Sequence, residues 1–317
     1  MKHSRVTVVP DQTYDAPGGV ALRADLYLPQ NAAMRLPVIV WVHGGGWRFG
    51  SRRVAPDLMR FFALCGFAMV AVDYRSSTGA TFPAQIQDLR TAIRWVRSVA
   101  ATYGLDAGHI GLWGASAGGH LASLAGICER GVFESDASPY ANQSSSVQAV
   151  VTGYAPIDFL QLDADRPPEG AVSDDPENLQ LPHGMRSADA HSFESLLLGA
   201  PIATCPDRVR AANPITYGRP GSPPFLILHG LSDTTVGAHQ SELLYDALAA
   251  YDNMVTVCLI EGLGHGFLDR SHLDDGPSRS MTIRTHQPGG DHVVRVAQPI
   301  FPMIEAFFRT HLTAAER

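Results

Sequence analysis

Short apolar runs that alternate with stretches of helical periodicity constrain the fold of this chain more than any other feature. The runs cover residues 37–42, 67–72, 110–113, 147–152, 225–228 and 255–260, and they are rich in Val, Ile and Leu. Strands that are apolar on both faces and alternate with helices form a parallel sheet that is covered on both sides. The sequence therefore predicts an α/β fold with a mostly parallel central sheet and helices on both faces.

Weaker patterns predict further elements around this sheet. Residues 5–9 and 21–28 alternate apolar with polar side chains, which indicates edge strands that pair antiparallel with the sheet. Helices are predicted at residues 83–99, 119–128, 238–251 and 301–312. The first of these helices has an apolar stripe, and its polar face, with Asp88, Arg90 and Arg94, is expected to face solvent.

Two insertions interrupt the alternation within what we interpret as a single domain of residues 1–317. Residues 158–210 are rich in proline and acidic residues, but the apolar run Phe193–Leu198 predicts a cap that packs on the domain. Residues 270–291 follow the last core strand and are predicted to form a polar loop. The histidine and aspartate residues of this loop lack the tight spacing of metal ligands, so no metal site is expected.

Composition narrows the range of partners and compartments. The 317 residues carry a formal net charge of -7, which disfavours a surface for nucleic acid or for an anionic membrane. The N-terminal residues lack the apolar stretch of a secretory signal, and no apolar segment is long enough to span a bilayer, so a cytoplasmic location is expected. The four cysteines are scattered, with neither a Cys-x-x-Cys motif nor metal-ligand spacing. These features leave the oligomeric state open.

The motif Gly-Ala-Ser-Ala-Gly at residues 114–118 lies between a predicted strand and a predicted helix. A serine at such a sharp strand-to-helix turn exposes its hydroxyl group, and the small flanking residues allow the backbone to approach closely. This context makes Ser116 the candidate nucleophile.

Asp233 and His265 are the candidate partners of Ser116. A serine hydroxyl needs a base within hydrogen-bond reach, and the base needs a carboxylate that fixes its tautomer. Each of the two residues follows a predicted strand of its own, and they come after Ser116 in the order Asp, His. Two other histidines fit less well, since His229 is interpreted as a loop-shaping hydrogen-bonding residue and His120 lies inside the helix after Ser116. The sequence therefore predicts a catalytic triad.

A glycine-rich segment, His43-Gly-Gly-Gly-Trp47, directly follows a predicted core strand. Successive glycines allow backbone N–H groups to point into one small space beside the nucleophile, and the amide of Ala117 adds a donor at a helix N-terminus. Such donors stabilise the oxyanion of a tetrahedral intermediate, each by roughly 3 kcal/mol. The segment therefore predicts an oxyanion hole.

Together these residues resemble the α/β-hydrolase superfamily, and specifically its esterases with an HGGG-type loop. Further stretches, at residues 73–75, 82–88, 116–122 and 212–216, resemble the branch of bifunctional feruloyl and acetylxylan esterases. The resemblance covers most of the chain. It implies the same triad, and it implies an oxyanion hole formed by Gly45, Gly46 and Ala117.

The leading interpretation is a serine carboxylesterase without a cofactor, acting on small esters with short acyl or aryl groups, with carbohydrate acetyl or feruloyl esters among the candidates. Trp47, Phe193 and Leu197 are candidate walls of the substrate pocket. Asp73 and Arg75 are expected to form an ion pair that holds the loop behind the oxyanion strand. An amidase, formamidase or peptidase with the same triad is the alternative enzyme. A non-catalytic receptor on a hydrolase scaffold is the other alternative, and the intact set of triad residues disfavours it.

Overall fold

The structure of the chain is a computed structural model, and it describes residues 6–30, 34–135, 138–168, 171–181 and 184–313. Strands lie at Val6–Asp15 (β1), Leu22–Pro29 (β2), Leu36–Val42 (β3), Ala68–Val72 (β4), Leu105–Ala115 (β5), Ala149–Gly153 (β6), Phe225–Gly230 (β7), Val255–Ile260 (β8), Arg279–Gln287 (β9) and Gly290–Gln298 (β10). Helices lie at Leu58–Phe61 (α1), Ala84–Ser98 (α2), Ala100–Tyr103 (α3), Ala117–Ile127 (α4), Leu162–Asp165 (α5), Phe193–Leu198 (α6), Pro206–Ala212 (α7), His239–Ala249 (α8) and Ile300–Leu312 (α9). Short 3-10 helices lie at Pro17–Gly19, Ala63–Cys65, Ile202–Thr204, Pro214–Tyr217 and Phe267–Asp269.

The strands of the described residues form one ten-stranded sheet in the order β1-β2-β4-β3-β5-β6-β7-β8-β9-β10. The strands from β4 to β8 in this order run parallel. At one edge β1 and β2 continue the sheet antiparallel, and at the other edge β9 and β10 do so. The predicted α/β fold is confirmed, and so are the antiparallel edge strands near residues 5–9 and 21–28, although Arg5 lies outside the described residues.

Both faces of the parallel strands are buried, and β3 shows why its sequence lacks polar alternation. Val38, Val40 and Val42 belong to one core cluster and Ile39 and Trp41 to another, and all of them are completely buried. Burying such a side chain contributes about 1.5–3 kcal/mol. Because parallel strands end at the same edge, the loops that follow β3, β5, β7 and β8 converge there. Among the described residues, no helix combines the length and apolar composition needed to cross a membrane.

The polar face of α2 is not exposed, and the prediction that it faces solvent is wrong. Asp88, Arg90 and Arg94 are all buried: Asp88 pairs with Arg75, and the segment between α4 and β6 covers Arg90 and Arg94. Arg90 donates to Ser145 Oγ at 2.8 Å, and Arg94 pairs with Glu134 at 2.5 Å. Charged side chains tolerate burial when each finds a partner, as these do.

The first insertion, residues 158–210, contributes apolar side chains to the main core. Phe159, Leu162 and Leu198 are buried in the same cluster as the β3 valines. Residues 169–170 and 182–183 of this insertion lie outside the described residues. Residues 173–181, which we call the cap segment, have neither helix nor strand.

The second insertion is not the predicted polar loop. Residues 279–298 form an antiparallel hairpin of β9 and β10, which we call the edge hairpin. Most side chains of β10 are exposed and most of β9 are half-buried, and Met281 is the one completely buried side chain within β9. A strand without a buried face lacks the apolar run or clean alternation by which strands are recognised in a sequence, and this explains the error.

Candidate active site

Ser116 lies at the sharp turn between β5 and α4. Its backbone has φ 53° and ψ -122°, a strained conformation for a residue with a side chain. The turn needs glycine on both sides, because a Cβ on Gly114 would clash with the carbonyl oxygen of Gly118, and one on Gly118 would clash with that of Val42. The Ser116 amide donates to the Gly153 carbonyl oxygen at 2.8 Å, which ties the turn to β6. The backbone thus holds the serine hydroxyl at the carboxyl edge of the sheet.

A hydrogen-bonded relay joins Ser116, His265 and Asp233, the residues predicted as a triad. His265 Nε2 lies 2.9 Å from Ser116 Oγ, and His265 Nδ1 lies 2.7 Å from Asp233 Oδ2. Because an ionised carboxylate can only accept, the ring proton is on Nδ1, and Nε2 is free to accept the serine O–H. This arrangement can move a proton from the serine hydroxyl to the imidazole.

The environment of Asp233 keeps its carboxylate ionised. Its Oδ1 accepts from the backbone N–H groups of Thr235 at 2.8 Å and Val236 at 2.9 Å. Burial alone would raise the pKa of Asp233, but the charge and hydrogen bonds of His265 and His229 hold this pKa well below its usual value. An ionised Asp233 stabilises the protonated form of His265.

Two other histidines, His229 and His120, support the site through buried hydrogen bonds. His229 is completely buried, and its Nδ1 lies 2.7 Å from Ser241 Oγ. His120 Nε2 lies 2.7 Å from the Ala212 carbonyl oxygen, so that Nδ1 accepts from the Trp47 indole N–H at 3.2 Å. Burial lowers the pKa of His120 to about 4, and the ring stays neutral. The contact of His120 with Trp47 fixes a wall of the site and has no signal in the sequence.

The loop after β3 presents backbone donors beside Ser116. The N–H groups of Gly45, Gly46 and Ala117 donate to no acceptor among the described residues, and all three residues line the same cavity as Ser116. Gly45 and Gly46 have φ of 104° and 58°, and a Cβ on Gly45 would clash with the Phe49 carbonyl oxygen. The loop therefore requires glycine, and its free N–H groups can bind an oxyanion.

A cavity of about 310 Å³ opens above Ser116 and His265. Its apolar walls come from Trp47, Phe49, Leu179, Leu181, Phe193 and Val236, and charged groups come from Arg166, Glu194 and Asp269. No group of three or more His, Cys, Asp or Glu side chains that could hold a metal ion occurs in the part of the chain that the structure describes.

The side chains predicted as pocket walls divide into two groups. Trp47 and Phe193 line the cavity, and the Phe193 ring lies so close to Gly46 that a Cβ there would meet it at 2.9 Å. Leu197 does not line the cavity, and this part of the prediction is wrong. It lies one turn after Phe193 in the short helix α6, and that second turn points into the main core, where Leu197 is completely buried.

The cap segment bonds directly to the loop that carries His265. Asn178 Oδ1 accepts from the His265 amide at 2.6 Å, and Asp175 Oδ2 accepts from the Gly264 amide at 2.7 Å. The Leu179 amide donates to the His265 carbonyl oxygen at 3.1 Å. Both backbone polar groups of His265 are therefore bonded to the cap segment. Sequence reasoning missed these contacts, which join residues 87 and 89 positions apart.

Two further interactions fasten the cap segment. Asn178 Nδ2 donates to Thr234 Oγ1 at 2.8 Å, so one side chain bonds the loops of both Asp233 and His265. The Arg270 guanidinium holds Asp175 with two hydrogen bonds of 3.0 and 2.7 Å. The cap segment thereby acts as a clamp on the relay.

Asp73 and Arg75 do not pair with each other, contrary to the expectation. Arg75 forms an ion pair with Asp88 of α2 at 2.7 Å, and Asp73 accepts from the Arg52 side chain at 2.7 Å. Asp73 and Arg75 are thus each neutralised by a charged side chain from elsewhere in the chain. None of the residues of these two pairs lines the cavity at Ser116.

The chain is similar to known esterases. The sequence model of the BD-FAE family matches residues 24–248. Esterase LipC of Mycobacterium tuberculosis is 30% identical over 233 residues, which cover 73% of this chain and 53% of LipC. A truncated carbohydrate esterase from gut microbiota has a TM-score of 0.72 at 27% identity, covering 87% of this chain and 95% of that chain. The propionate-bound esterase Est2 of Thermogutta terrifontis has a TM-score of 0.62 at 27% identity, covering 84% and 86% of the two chains. This chain spans about half the length of the curated relatives it matches.

Proposed function

The chain belongs to the BD-FAE family, and we propose that it is a serine carboxylesterase that cleaves small carboxylic esters. The observation that carries this proposal is the continuous relay from Asp233 through His265 to Ser116, with distances of 2.7 and 2.9 Å. The relay opens into a cavity that backbone N–H groups without acceptors also line. A nucleophile, a base and oxyanion donors at one place are the groups that acyl transfer needs.

In the first half of the proposed reaction, Ser116 Oγ attacks the ester carbonyl carbon while His265 Nε2 takes the hydroxyl proton. The N–H groups of Gly45, Gly46 and Ala117 stabilise the oxyanion of the tetrahedral intermediate, at roughly 3 kcal/mol for each donor. Protonated His265 then gives its proton to the leaving alcohol oxygen, the C–O bond breaks, and the acyl group remains on Ser116.

In the second half, water attacks the acyl-enzyme while His265 Nε2 takes a proton from it. Collapse of the second intermediate releases the carboxylic acid and returns the proton to Ser116. Asp233 stabilises the imidazolium in both halves, because its low pKa keeps it ionised throughout.

The proposed substrates carry a short acyl or aryl group. A cavity of about 310 Å³ lies at the small end of the range of ligand sites and leaves little space for a long chain. Est2, which is similar in structure, is known with propionate bound, and another similar structure is a carbohydrate esterase. Short esters, with acetylated or feruloylated carbohydrates among them, are therefore the substrate class that we propose.

Replacing the nucleophile tests the proposed reaction. Ser116→Ala should lower the turnover of p-nitrophenyl acetate by at least about 10,000-fold while the fold is kept, because the covalent step is lost. A fluorophosphonate probe should label the wild type and leave Ser116→Ala unlabelled. Ser98→Ala, at an exposed position of α2, is the matched control and should behave as the wild type. Turnover by Ser116→Ala near the wild-type level would refute the assignment.

A panel of acetyl, butyryl, octanoyl and feruloyl esters with a common leaving group tests the substrate class. We expect kcat/KM to be highest for the acetyl or butyryl ester and to fall by at least about 10-fold for the octanoyl ester, because each methylene that finds no space forfeits its binding energy. A matched anilide, cleaved far more slowly than the ester, would separate an esterase from an amidase. Best turnover on the octanoyl ester would contradict the proposed pocket.

A further inference from the structure

Asp269 is a charged residue in the cavity wall that the proposed reaction does not use. It ends the 3-10 helix Phe267–Asp269 and lines the same cavity as Ser116 and His265. Its carboxyl group accepts no hydrogen bond from any described residue; Oδ1 is shielded from solvent, so Oδ2 is the oxygen that can meet a ligand. A buried carboxyl oxygen without a partner is unfavourable. In the wall of a binding cavity, a carboxyl group with one shielded and one accessible oxygen and no protein partner points to a partner that the ligand supplies.

The basic side chains that interact with Asp269 are engaged elsewhere. His265 Nδ1 donates to Asp233 at 2.7 Å, and Arg270 holds Asp175 at 3.0 and 2.7 Å. Burial raises the pKa of Asp269 to about 6, against the opposing charges of His265 and Arg270. At neutral pH the carboxyl group is therefore ionised, and it has no counter-ion of its own among the described residues.

The other charged side chains of the cavity wall do not supply a counter-ion for Asp269. The guanidinium of Arg166 is already bonded within the protein, to Asp163 Oδ1 at 2.9 Å, to Ser187 Oγ at 2.9 Å and to the Thr235 carbonyl oxygen at 2.8 Å. Glu194 adds a second carboxyl group to the cavity, and burial raises its pKa against the charge of Arg166. Because Arg166 is already bonded within the protein, the unpartnered carboxyl group of Asp269 favours a cationic ligand group over a neutral one.

We propose that Asp269 forms a subsite for a protonated amino group on the alcohol part of the ester, so that esters of amino-substituted alcohols or phenols are preferred substrates. This inference rests on the proposed esterase function. An ammonium group would give Asp269 a charge-assisted hydrogen bond in a place that is partly withdrawn from water.

The proton transfer by His265 determines on which side of the cavity the alcohol part of the ester lies. His265 Nε2 must reach the leaving oxygen, so the alcohol part of the ester lies next to His265. Asp269 belongs to the loop of His265, and Tyr154, also in the cavity wall, packs edge-on against the His265 ring at a centroid distance of 4.7 Å. Phe193 lies instead over Gly46 of the oxyanion loop.

Three matched phenyl acetates test the subsite: meta-(aminomethyl)phenyl, meta-ethylphenyl and meta-(hydroxymethyl)phenyl acetate, assayed at neutral pH by release of the phenol. The wild type should prefer the aminomethyl to the ethyl probe by at least about 10-fold in kcat/KM, as expected for a hydrogen bond to a charged group. Asp269→Asn should bring this ratio close to one. Comparing the ratio between the two proteins cancels the different reactivities of the phenols. Asp174→Asn, an exposed carboxylate in the cap segment, is the matched control and should keep the wild-type ratio.

Inhibition of the wild type gives a second measurement that needs no variant. Benzylammonium should inhibit the hydrolysis of p-nitrophenyl acetate about 10-fold more strongly than benzyl alcohol does. A preference that Asp269→Asn leaves intact, equal inhibition by the two compounds, or an equal preference for the hydroxymethyl probe would overturn the cationic subsite. Failure of the wild type to cleave any of the acetates would instead refute the esterase function.

Discussion

The cap segment and the edge hairpin are both parts of polar insertions, yet they differ in what they contact. The cap segment has no helix or strand, and it bonds the backbone of His265 through Asn178 and Leu179. The edge hairpin has a regular antiparallel register, and the polar contacts of its side chains are with surface residues, such as the bond of His286 to Asp252. None of the residues that line the cavity belongs to the edge hairpin.

The comparison shows that the region without regular secondary structure, the cap segment, is the one that bonds to the site. In the edge hairpin, backbone N–H and C=O groups satisfy one another across the two strands. In the cap segment they have no such partners, and every buried polar group must find another one. The amide of Leu179 finds it at the His265 carbonyl oxygen, 3.1 Å away. Irregular backbone is therefore free to bond the loops that carry the relay.

The largest effect that separates the two regions is expected from Asn178→Ala. This change removes the acceptor of the His265 amide and the donor to Thr234, so the imidazole is no longer held in line with Ser116. Because displacement of a catalytic group by about 1 Å can lower the rate about 100-fold, we expect a fall of that order in kcat for p-nitrophenyl acetate. KM should change little, since Asn178 does not line the cavity.

Asp174→Ala is the matched control for this experiment. Asp174 is an exposed residue of the same segment and makes no hydrogen bond or ion pair with the described residues, so its variant should keep wild-type kcat. Asn178→Asp keeps an acceptor for the His265 amide and should recover part of the loss. A kcat for Asn178→Ala within about twofold of the wild type would remove the distinction between the two regions.

Asp175→Asn should have a smaller effect on activity and a measurable effect on stability. Asp175 bonds the Gly264 amide rather than His265 itself, so we expect a fall in kcat/KM of about 10-fold or less. The side chains of Asp175 and Arg270 are 4% and 10% exposed, and loss of one partner of a buried pair costs about 3 kcal/mol. Urea titrations of both proteins measure this difference in the free energy of unfolding.

The pH dependence gives this prediction a second readout. Burial works to raise the pKa of Asp175, but the hydrogen bonds from Arg270 and from backbone amides outweigh it and lower the pKa. A carboxyl group with a lowered pKa stabilises the fold fully above its unfolded pKa of about 3.9 and loses this effect as pH falls through the lower folded value. The stability difference between wild type and Asp175→Asn should therefore be constant near neutral pH and shrink below about pH 4. A difference that grew with acid would contradict the ion pair.

The main features of the site were predictable because local patterns indicate them. Ser116, Asp233 and His265 each follow an apolar run, and such runs are recognisable without knowledge of their neighbours. Once a parallel sheet is inferred, the ends of its strands must meet at one edge, and the structure joins these three residues there at hydrogen-bond distances.

Other features depend on contacts that no local pattern encodes. The burial of Arg90 and Arg94 depends on the segment between α4 and β6, which covers a helix face that looks solvent-exposed by periodicity. The clamp by Asn178 joins residues 87 positions apart through a single side chain. The edge hairpin lacked a signal because neither of its faces is fully buried. In each case the tertiary contacts of a segment, rather than the intrinsic preferences of its residues, decide its structure and burial.

The smallest effect is expected in the edge hairpin, from His286→Ala. His286 Nδ1 lies 2.6 Å from Asp291 Oδ1, and its Nε2 lies 3.1 Å from Asp252 Oδ1. These hydrogen bonds, first of all the one to Asp291, raise the pKa of His286, so the protonated ring stabilises the fold fully below its unfolded pKa of about 6.5 and loses this effect as pH rises through the folded value.

Both carboxylates are largely exposed, and solvent screening keeps the effect of His286→Ala small. We expect a Tm lower by less than about 2 °C at mildly acidic pH and equal to the wild-type Tm in alkali, as thermal unfolding at the two pH values will measure. His292→Ala, on the neighbouring strand and without a polar partner among the described residues, is the matched control and should keep the wild-type Tm. Because the hairpin contributes no residue to the cavity, kcat/KM should stay within about twofold of the wild type for both variants. A 10-fold loss of activity in His286→Ala would mean that the hairpin, like the cap segment, is coupled to the relay.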